Sequence, residues 1–457
     1  MKPSIPQGTR DFQAATIRKR YFIINTIREV FELYAFEPLE TPAFENLETL
    51  TGKYGDEGDQ LIFKILNNGL HLESKHEKAT AAFENVLKGR SDKNLTERAL
   101  RYDLTIPFAR FVALNHAQLP TPFKRYQMQT VWRADRPQKG RYREFLQCDA
   151  DIAGSNSLLC DAELAMLYAD VFAKLKLPVR IKINNRKILS GLAEITGMAE
   201  NPSTLTIAID KLEKIGIEKV KQELQQGGIN ENQISIIQQY LSLSGPHIEI
   251  FNALKQLLKD SDIGLKGVDE LETVFNLIDD ERFVIDTTLA RGLDYYTGTI
   301  YEVKADNVKM GSIGGGGRYD DLTGLFGVKG IPGAGISFGI DRIFDVMDEL
   351  MLFPDDVGGL VTALFFNMGP RESTYSFKLV EQCRKNGIAC EMFYEKARLD
   401  KQFKYAEKKA IPFVVIIGSE EMNSNQCTIK QLNTGEENKI PVSEIIGFFN
   451  KNANFKN

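Results

Sequence analysis

Three arginines sit among glycines and tyrosines in a way that few core-building needs explain. Arg291 opens Arg291-Gly292-Leu293-Asp294-Tyr295-Tyr296-Thr297-Gly298, which runs on into Thr299-Ile300-Tyr301-Glu302-Val303. Arg318 lies in Gly314-Gly315-Gly316-Gly317-Arg318-Tyr319-Asp320. Arg342 follows the small-residue run Gly333-Ala334-Gly335-Ile336-Ser337-Phe338-Gly339. Glycines let a backbone approach a ligand, Arg reads carboxylate or phosphate with a planar fork, and Tyr offers a hydroxyl at the edge of an apolar pocket. A Gly-rich hairpin with an exposed Arg is the competing reading of the first two segments.

A second set is basic. Lys124, Arg125, Arg133, Arg136, Lys139, Arg141 and Arg143 fall within twenty residues, opposed only by Asp135. Such a run is often a solvated face, but in a chain of net charge −5 it points to phosphate. Lys396, Arg398, Lys401, Lys404, Lys408 and Lys409 stand against Asp400 and Glu407 and form a second candidate RNA contact, with a solvated helix face as the alternative. Asp103 and Thr105 lie at the entrance of a helix, where they either cap it or touch a ligand.

Composition excludes several chemistries. The five cysteines are scattered without C-x-x-C, which suits a reducing cytoplasm and argues against zinc. His71, His76, His116 and His247 are the only histidines, there is no H-E-x-x-H, and a His base is not expected. The N-terminus lacks the apolar core of a signal peptide and no apolar run is long enough to span a membrane, so a soluble cytoplasmic protein is expected. The acidic balance argues against non-specific binding to nucleic acid, and no DNA partner is expected. A Walker or Rossmann reading of the glycines fails, since no Lys-Ser/Thr follows them and no strand-turn-helix with a downstream acid fits.

The elements that must position these residues follow from periodicity. Ile17, Tyr21, Ile24, Ile27, Phe31 and Tyr34 mark one face of a long helix that stops before Pro38 and serves either the core or a dimer interface. Residues 61–66 and 70–73 read as strands joined at Asn67-Asn68-Gly69. Residues 75–96 read as helical or irregular, and a helix begins near Pro107. Two strands, 123–133 and 143–152, flank a loop longer than a hairpin needs. A helix over 158–175 and a strand over 179–184 precede a helical stretch, 186–278, broken at Gly227-Gly228 and Gly245-Pro246. Residues 283–290, 302–305 and 333–339 read as strands, the last entering a helix at Ile340. Arg342 near that helix N-terminus is electrostatically out of place and suggests a ligand phosphate or ring, or a salt bridge. A linker over 350–359 precedes an alternating α/β pattern, read as a small parallel-sheet domain.

Phe123 to Tyr126 with Arg133 to Phe145 resembles motif 2 of the class II aminoacyl-tRNA synthetases. The helix ending near Pro42 resembles motif 1, the dimerisation element, and 333–343 resembles motif 3, with Arg342 as its arginine. Arg291 to Tyr296 and Gly316 to Asp320 resemble the two signatures peculiar to histidyl-tRNA synthetases. The resemblance spans nearly the whole chain. It implies an α/β and α+β multidomain fold: an antiparallel-sheet catalytic core (1–185 and 279–350), a helical insertion (186–278) that clamps the tRNA acceptor stem, and a C-terminal α/β anticodon-binding domain (360–457).

The same resemblance implies a homodimer that uses ATP and Mg2+ to join L-histidine to tRNA-His. Arg133 and Arg291 are implied as catalytic. Asp103, Thr105, Gln147, Asp151, Arg291, Tyr295, Tyr296 and Tyr319 would hold histidine. Arg133, Asp135, Arg141, Phe145 and Arg342 would hold ATP, with adenine between Phe145 and Arg342. Arg136, Gln138, Arg143, Arg398, Lys401 and Lys404 would touch tRNA. Asp103 and Asp151 stand where one common bacterial pattern has Glu, so each acid is one methylene shorter. The alternative is a catalytically inactive paralogue that senses histidine or tRNA as a regulatory subunit.

Overall fold

The computed structural model describes residues 2–51, 61–226, 229–290, 296–354, 357, 359 and 361–452, with 211, 213, 214 and 226 described by their backbone alone. The chain divides into two compact units, Met1–Asp11 with Arg20–Leu352, and Phe12–Lys19 with Phe353–Asn457.

The strands of the first unit are β1 (Glu37–Pro38), β2 (Phe44–Asn46), β3 (Lys64–Ile65), β4 (Arg98–Leu100), β5 (Phe123–Trp132), β6 (Glu144–Ala153), β7 (Val179–Asn185), β8 (Phe283–Ile285), β9 (Thr299–Ala305), β10 (Gly314–Tyr319) and β11 (Gly333–Gly339). Eight of them form one sheet in the order β1-β5-β6-β11-β10-β9-β7-β8. The six inner strands are antiparallel, and β1 and β8 add in parallel at the two edges. β2, β4 and β3 make a separate small sheet.

Side chains alternate across a strand, so β5, β6 and β11 present two unlike faces. One face carries Tyr126, Ala150, Ile152 and Phe338, all buried. Against it pack the helices α1 (Ala14–Leu33) and α5 (Leu158–Lys174), with Phe31 5.8 Å and Tyr168 4.7 Å from Phe338 between ring centroids. The other face is polar and in strict register. Arg125 lies opposite Asp151 and Asp151 opposite Gly335; Gln127 opposite Asp149 and Asp149 opposite Ser337; Gln129 opposite Gln147 and Gln147 opposite Gly339. A sheet with one helix-covered apolar face and one polar face has its binding surface placed by the pleat alone.

The remaining helices of this unit in chain order are α2 (Leu47–Leu50), α3 (Glu73–Leu87), α4 (Thr105–Asn115), α6 (Arg186–Ile195), α7 (Pro202–Ile215), α8 (Ile217–Gln226), α9 (Glu231–Leu241), α10 (His247–Leu257), α11 (Asp262–Leu277) and α12 (Ile340–Glu349). Between β7 and β8 the described chain is helical from α6 to α11, with Asn185, Asn230 and Ser261 accepting backbone N–H bonds at three of the helix starts.

Four local expectations need correction. Residues 61–73 do not form a hairpin: β3 pairs with β4, and Asn67 is tied to the 93–97 segment, donating to the Lys93 carbonyl at 2.7 Å and accepting from the Glu97 N–H at 3.0 Å. The chain then turns at Gly69 and enters α3. The buried face of α1 is Arg20, Ile23, Ile24, Ile27, Val30 and Phe31, which leaves Tyr21 exposed. The strand begun at Phe283 stops at Ile285, because Asp286 accepts from the Thr288 N–H at 2.8 Å in an Asx turn. The glycine run 314–317, for which a Gly-rich turn was the competing reading, is not a turn; it is strand β10, paired on both sides with β9 and β11.

The second unit holds β12 (Ala363–Phe365), β13 (Cys390–Met392), β14 (Phe413–Ile416), β15 (Gln426–Gln431) and β16 (Glu437–Pro441), ordered β13-β12-β14-β15-β16. The first three are parallel as the alternating pattern suggests, and β15 and β16 extend the sheet antiparallel. α13 (Pro370–Lys385), α14 (Leu399–Lys408), α15 (Ser419–Ser424) and α16 (Ile445–Asn452) complete it. Among the described residues no helix is long and apolar enough to cross a membrane.

Candidate active site

The polar face of the sheet opens into a cavity of about 270 Å³. β5 delivers Arg133 just past its end, β6 delivers Phe145, Gln147 and Asp149, the turn before α4 delivers Asp103, and the first residue of α4 is Thr105. Asp135, Gly140 and Arg141 come from the β5–β6 loop, Gly314 and Gly315 from β10, and Asp341 and Arg342 from the first turn of α12. Tyr296 closes one side. A narrow annex continues inward past Thr105, Asp149, Tyr296 and Ser337 to Asp151 and Tyr319.

The cavity is electrically graded. Its outer wall carries Arg133, Arg141 and Arg342, all partly or largely solvent-exposed. Its inner end carries Asp103, Asp149 and Asp151, each no more than 3% exposed. Gln147 stands at the boundary, accepting from Arg133 Nη2 at 3.4 Å and donating to Ser337 Oγ at 2.9 Å.

Each outer cation is aimed by a specific partner. Arg133 Nε donates to the Tyr102 carbonyl at 2.8 Å, and its guanidinium carbon lies 5.2 Å from the centroid of the Phe145 ring. Arg342 reaches away from its own helix start to two carbonyl oxygens, Gly140 and Ser312, each at 2.6 Å. Asp341 supplies the acid that the α12 N-terminus favours, and is held by Arg10, Arg20 and the Leu146 N–H. Arg141 lies 3.7 Å from Asp135 and keeps its head in the opening.

At the inner end, Arg125 is fully buried and pairs with Asp151, Nη2 to Oδ2 at 2.7 Å, at an angle too poor for a full hydrogen bond. Tyr319 donates to the other oxygen, Asp151 Oδ1, at 2.8 Å. Burial pushes the Asp151 carboxyl up while Arg125 and Tyr319 pull it down, and the net direction is up. Asp149 is pushed up to about 7: burial dominates, Arg125 opposes it, and Asp151 and Asp103 add like charge. Among the described residues no ion pair reaches Asp149. Glycine is required beside this cluster. A Cβ at residue 335 would lie 1.9 Å from Asp151 Oδ1, and one at residue 333 would lie 2.3 Å from the Tyr319 ring.

The structure therefore brings Asp103, Thr105, Arg133, Asp135, Arg141, Phe145, Gln147, Tyr296 and Arg342 around one cavity, and Asp151 and Tyr319 around its annex. Asp103 also caps α4, accepting from the Ile106 N–H at 3.2 Å while it lines the cavity. Arg291 and Tyr295 lie outside the described residues. Arg136, Gln138 and Arg143 do not line the cavity; Arg143 Nε donates to the Asp135 carbonyl at 3.1 Å, and Gln138 bridges Arg141 through the backbone. Arg398, Lys401 and Lys404 belong to the second unit, on or beside α14, and are exposed. Arg318 is not a ligand group: it is buried and forks onto Asp161 at 2.5–3.2 Å and onto two carbonyls at the start of α5.

Asp149, Ser337, Tyr142, Ser312 and Asp341 are polar cavity residues that sequence reasoning passed over. The signal for Asp149 was present. Gln147, Asp149 and Asp151 alternate with the apolar Leu146, Cys148, Ala150 and Ile152, so all three must share the polar face.

A family model of histidyl-tRNA synthetases matches residues 8–343, and one of anticodon-binding domains matches residues 363–452. Among similar curated proteins, the histidine–tRNA ligase of Christiangramia forsetii is 51% identical, covering 98% of this chain and 99% of that one. That of Bacteroides fragilis is 49% identical over the same shares. The crystal structure of histidyl-tRNA synthetase from Nostoc sp. PCC 7120 superposes with a TM-score of 0.82 at 33% identity, covering 99% of this chain and 100% of that one. A Bacillus halodurans structure described as an ATP phosphoribosyltransferase regulatory subunit/histidyl-tRNA synthetase has a TM-score of 0.72 at 20% identity, covering 92% of this chain and 99% of that one, a likeness of fold alone.

Proposed function

The chain belongs to the histidyl-tRNA synthetase family, and from that membership we propose how its cavity divides the work. It is a ligase that activates L-histidine with ATP to histidyl-adenylate and pyrophosphate, then transfers histidine to the 3′ end of tRNA-His. The observation that carries the assignment of roles is the charge gradient. An ammonium and an imidazole match the acidic inner end, while a carboxylate and a triphosphate match the arginines of the outer wall.

In this reading the imidazole enters the annex against Asp151, Tyr296 and Tyr319. Asp103, Thr105 and Gln147 hold the amino end, and the carboxylate points outward toward Arg133. ATP lies along Arg141, Asp135 and Arg342, with adenine between Phe145 and Arg342. A carboxylate oxygen attacks the α-phosphorus, the bond from that phosphorus to the bridging oxygen breaks, and pyrophosphate leaves with no proton transferred. Negative charge builds on the phosphoryl oxygens, where Arg133 and Arg291 stabilise it; positioning supplies most of the rest. The terminal ribose hydroxyl of the tRNA then attacks the adenylate carbonyl and AMP departs.

Magnesium enters with the nucleotide. Among the described residues no group of three His, Cys, Asp or Glu side chains could hold a metal, so phosphate oxygens would carry most of its coordination. It would neutralise charge on the β- and γ-phosphates. The tRNA would meet Arg136, Gln138 and Arg143 near its acceptor end, and Arg398, Lys401 and Lys404 through the second unit. Residues 186–278 would clamp the acceptor stem, and 360–457 would read the anticodon. A cytoplasmic homodimer completes the proposal, with exposed Tyr21 and Leu33 on α1 and exposed Phe44 on β2 as apolar surface for the partner copy. Light scattering after size exclusion tests the dimer.

Arg291→Ala tests the assignment of the reaction. Single-turnover adenylate formation is expected to fall by about 10²–10³, as for removal of one preorganised donor, with histidine affinity far less changed. A rate within a few-fold of wild type removes Arg291 from the chemistry.

A further inference from the structure

Asp149 occupies a place that the roles above leave unassigned. It lines both the main cavity and the annex, whereas Asp103 lines only the first and Asp151 only the second. Asp149 therefore stands at the neck between them. Resting on the histidine reading of the site, a substrate whose ring lies in the annex and whose carboxylate faces Arg133 has its α-carbon at that neck. We propose that Asp149 is a second carboxylate for the substrate's α-ammonium group, which it holds together with Asp103.

Charge balance supports this. Among the described residues, the fully buried guanidinium of Arg125 is ion-paired with Asp151, and no ion pair reaches the buried carboxylate of Asp149. A buried carboxylate calls for a partner. Among the described residues, the charged and titratable groups around Asp149 are Arg125 from β5, Asp151 from its own strand, Asp103 from the turn before α4, and Tyr296 and Tyr319, which line the annex with it. Gln147 donates to Asp149 Oδ1 at 3.4 Å, and Ser337 bonds it from β11. These orient the carboxylate without neutralising it. An ammonium between Asp103 and Asp149 removes their repulsion, and it would hold Asp149 ionised where the empty site favours the proton.

The test is calorimetric binding without ATP, using L-histidine and its des-amino analogue, imidazolepropionate, which keeps ring and carboxylate. Wild type is expected to prefer histidine. Asp149→Asn, which keeps the shape and an acceptor for Gln147, is expected to lose about 10- to 100-fold of that preference, the range of a hydrogen bond to a charged group, while binding the analogue unchanged. An unchanged preference, or an equal weakening of both ligands, overturns the proposal by placing Asp149 on the ring or on the fold. Asp149→Ser repeats the comparison if the Asn variant does not fold. A second readout stands beside it. At pH 7, in buffers of different ionisation enthalpy, histidine should release a larger proton fraction from wild type than from Asp149→Asn; equal release overturns the proposal. Wild type that binds neither ligand would overturn the histidine reading itself, an outcome distinct from both.

Discussion

Tyr319 donates its hydroxyl to Asp151 across 2.8 Å, and glycine makes room for each partner. A Cβ at 335 would strike the Asp151 carboxylate, and a Cβ at 333 would strike the Tyr319 ring. The acid, the phenol and the small residues of β11 thus form one unit, with its carboxylate held rigid in the annex. A carboxylate fixed in this way can select a ring with N–H groups over an apolar isostere.

Tyr319→Phe removes the hydroxyl and little volume. In ATP–pyrophosphate exchange the KM for histidine is expected to rise about tenfold, the size of one buried hydrogen bond to a charged group, with the KM for ATP nearly unchanged. Gly335→Ala should do more, because Asp151 itself must move. Equal effects on both substrates would mean that the pair supports the fold and not the annex.

The Arg125–Asp151 pair should show the asymmetry of buried ions. Arg125→Met leaves the carboxylate unpaired and is expected to cost about 3–5 kcal/mol in urea unfolding, whereas adding Asp151→Asn should recover most of the loss. A double variant as unstable as the single one would mean that Arg125 acts through its 4.2 Å contact with the Phe108 ring.

Asp149 gives a pH dependence with a definite sign. Its folded value of about 7 lies above the ordinary 3.8, so the native state binds the extra proton between those values. That contribution is full below pH 4, falls as pH rises toward 7 and is flat above. Relative to Asp149→Asn, wild type without ligands should lose up to about 1.4 kcal/mol of unfolding free energy per pH unit between pH 5 and 7. A difference that stays constant across this range would show Asp149 to be ionised throughout.

What was legible in the sequence was what alternation and glycine spacing encode. β5, its long loop and β6 follow from pattern, and Arg133 from the basic run between them, whereas Phe145 and Gln147 come from the resemblance to the synthetase family. Asp149 was missed for want of applying the same alternation to every residue of β6. Arg318 misled because its partner, Asp161, is 157 residues away and no local pattern announces a buried pair. Arg342 looked misplaced at a helix start, since its acceptors are backbone carbonyls, Gly140 and Ser312, that only the fold brings near. Tyr21 fitted a helical stripe, yet Arg20 took the inward place because Asp341 receives it. Asn67-Asn68-Gly69 has the composition of a hairpin turn, but Asn67 found better partners thirty residues on.

The central claim is that this cavity activates histidine. Histidine-dependent ATP–pyrophosphate exchange with purified protein, wild type beside Arg133→Ala, tests it most directly. Exchange that requires L-histidine and magnesium, and that falls by about 10²-fold or more without the Arg133 guanidinium, is the predicted result. No exchange by wild type at saturating histidine and magnesium, or full exchange by the variant, would contradict the account.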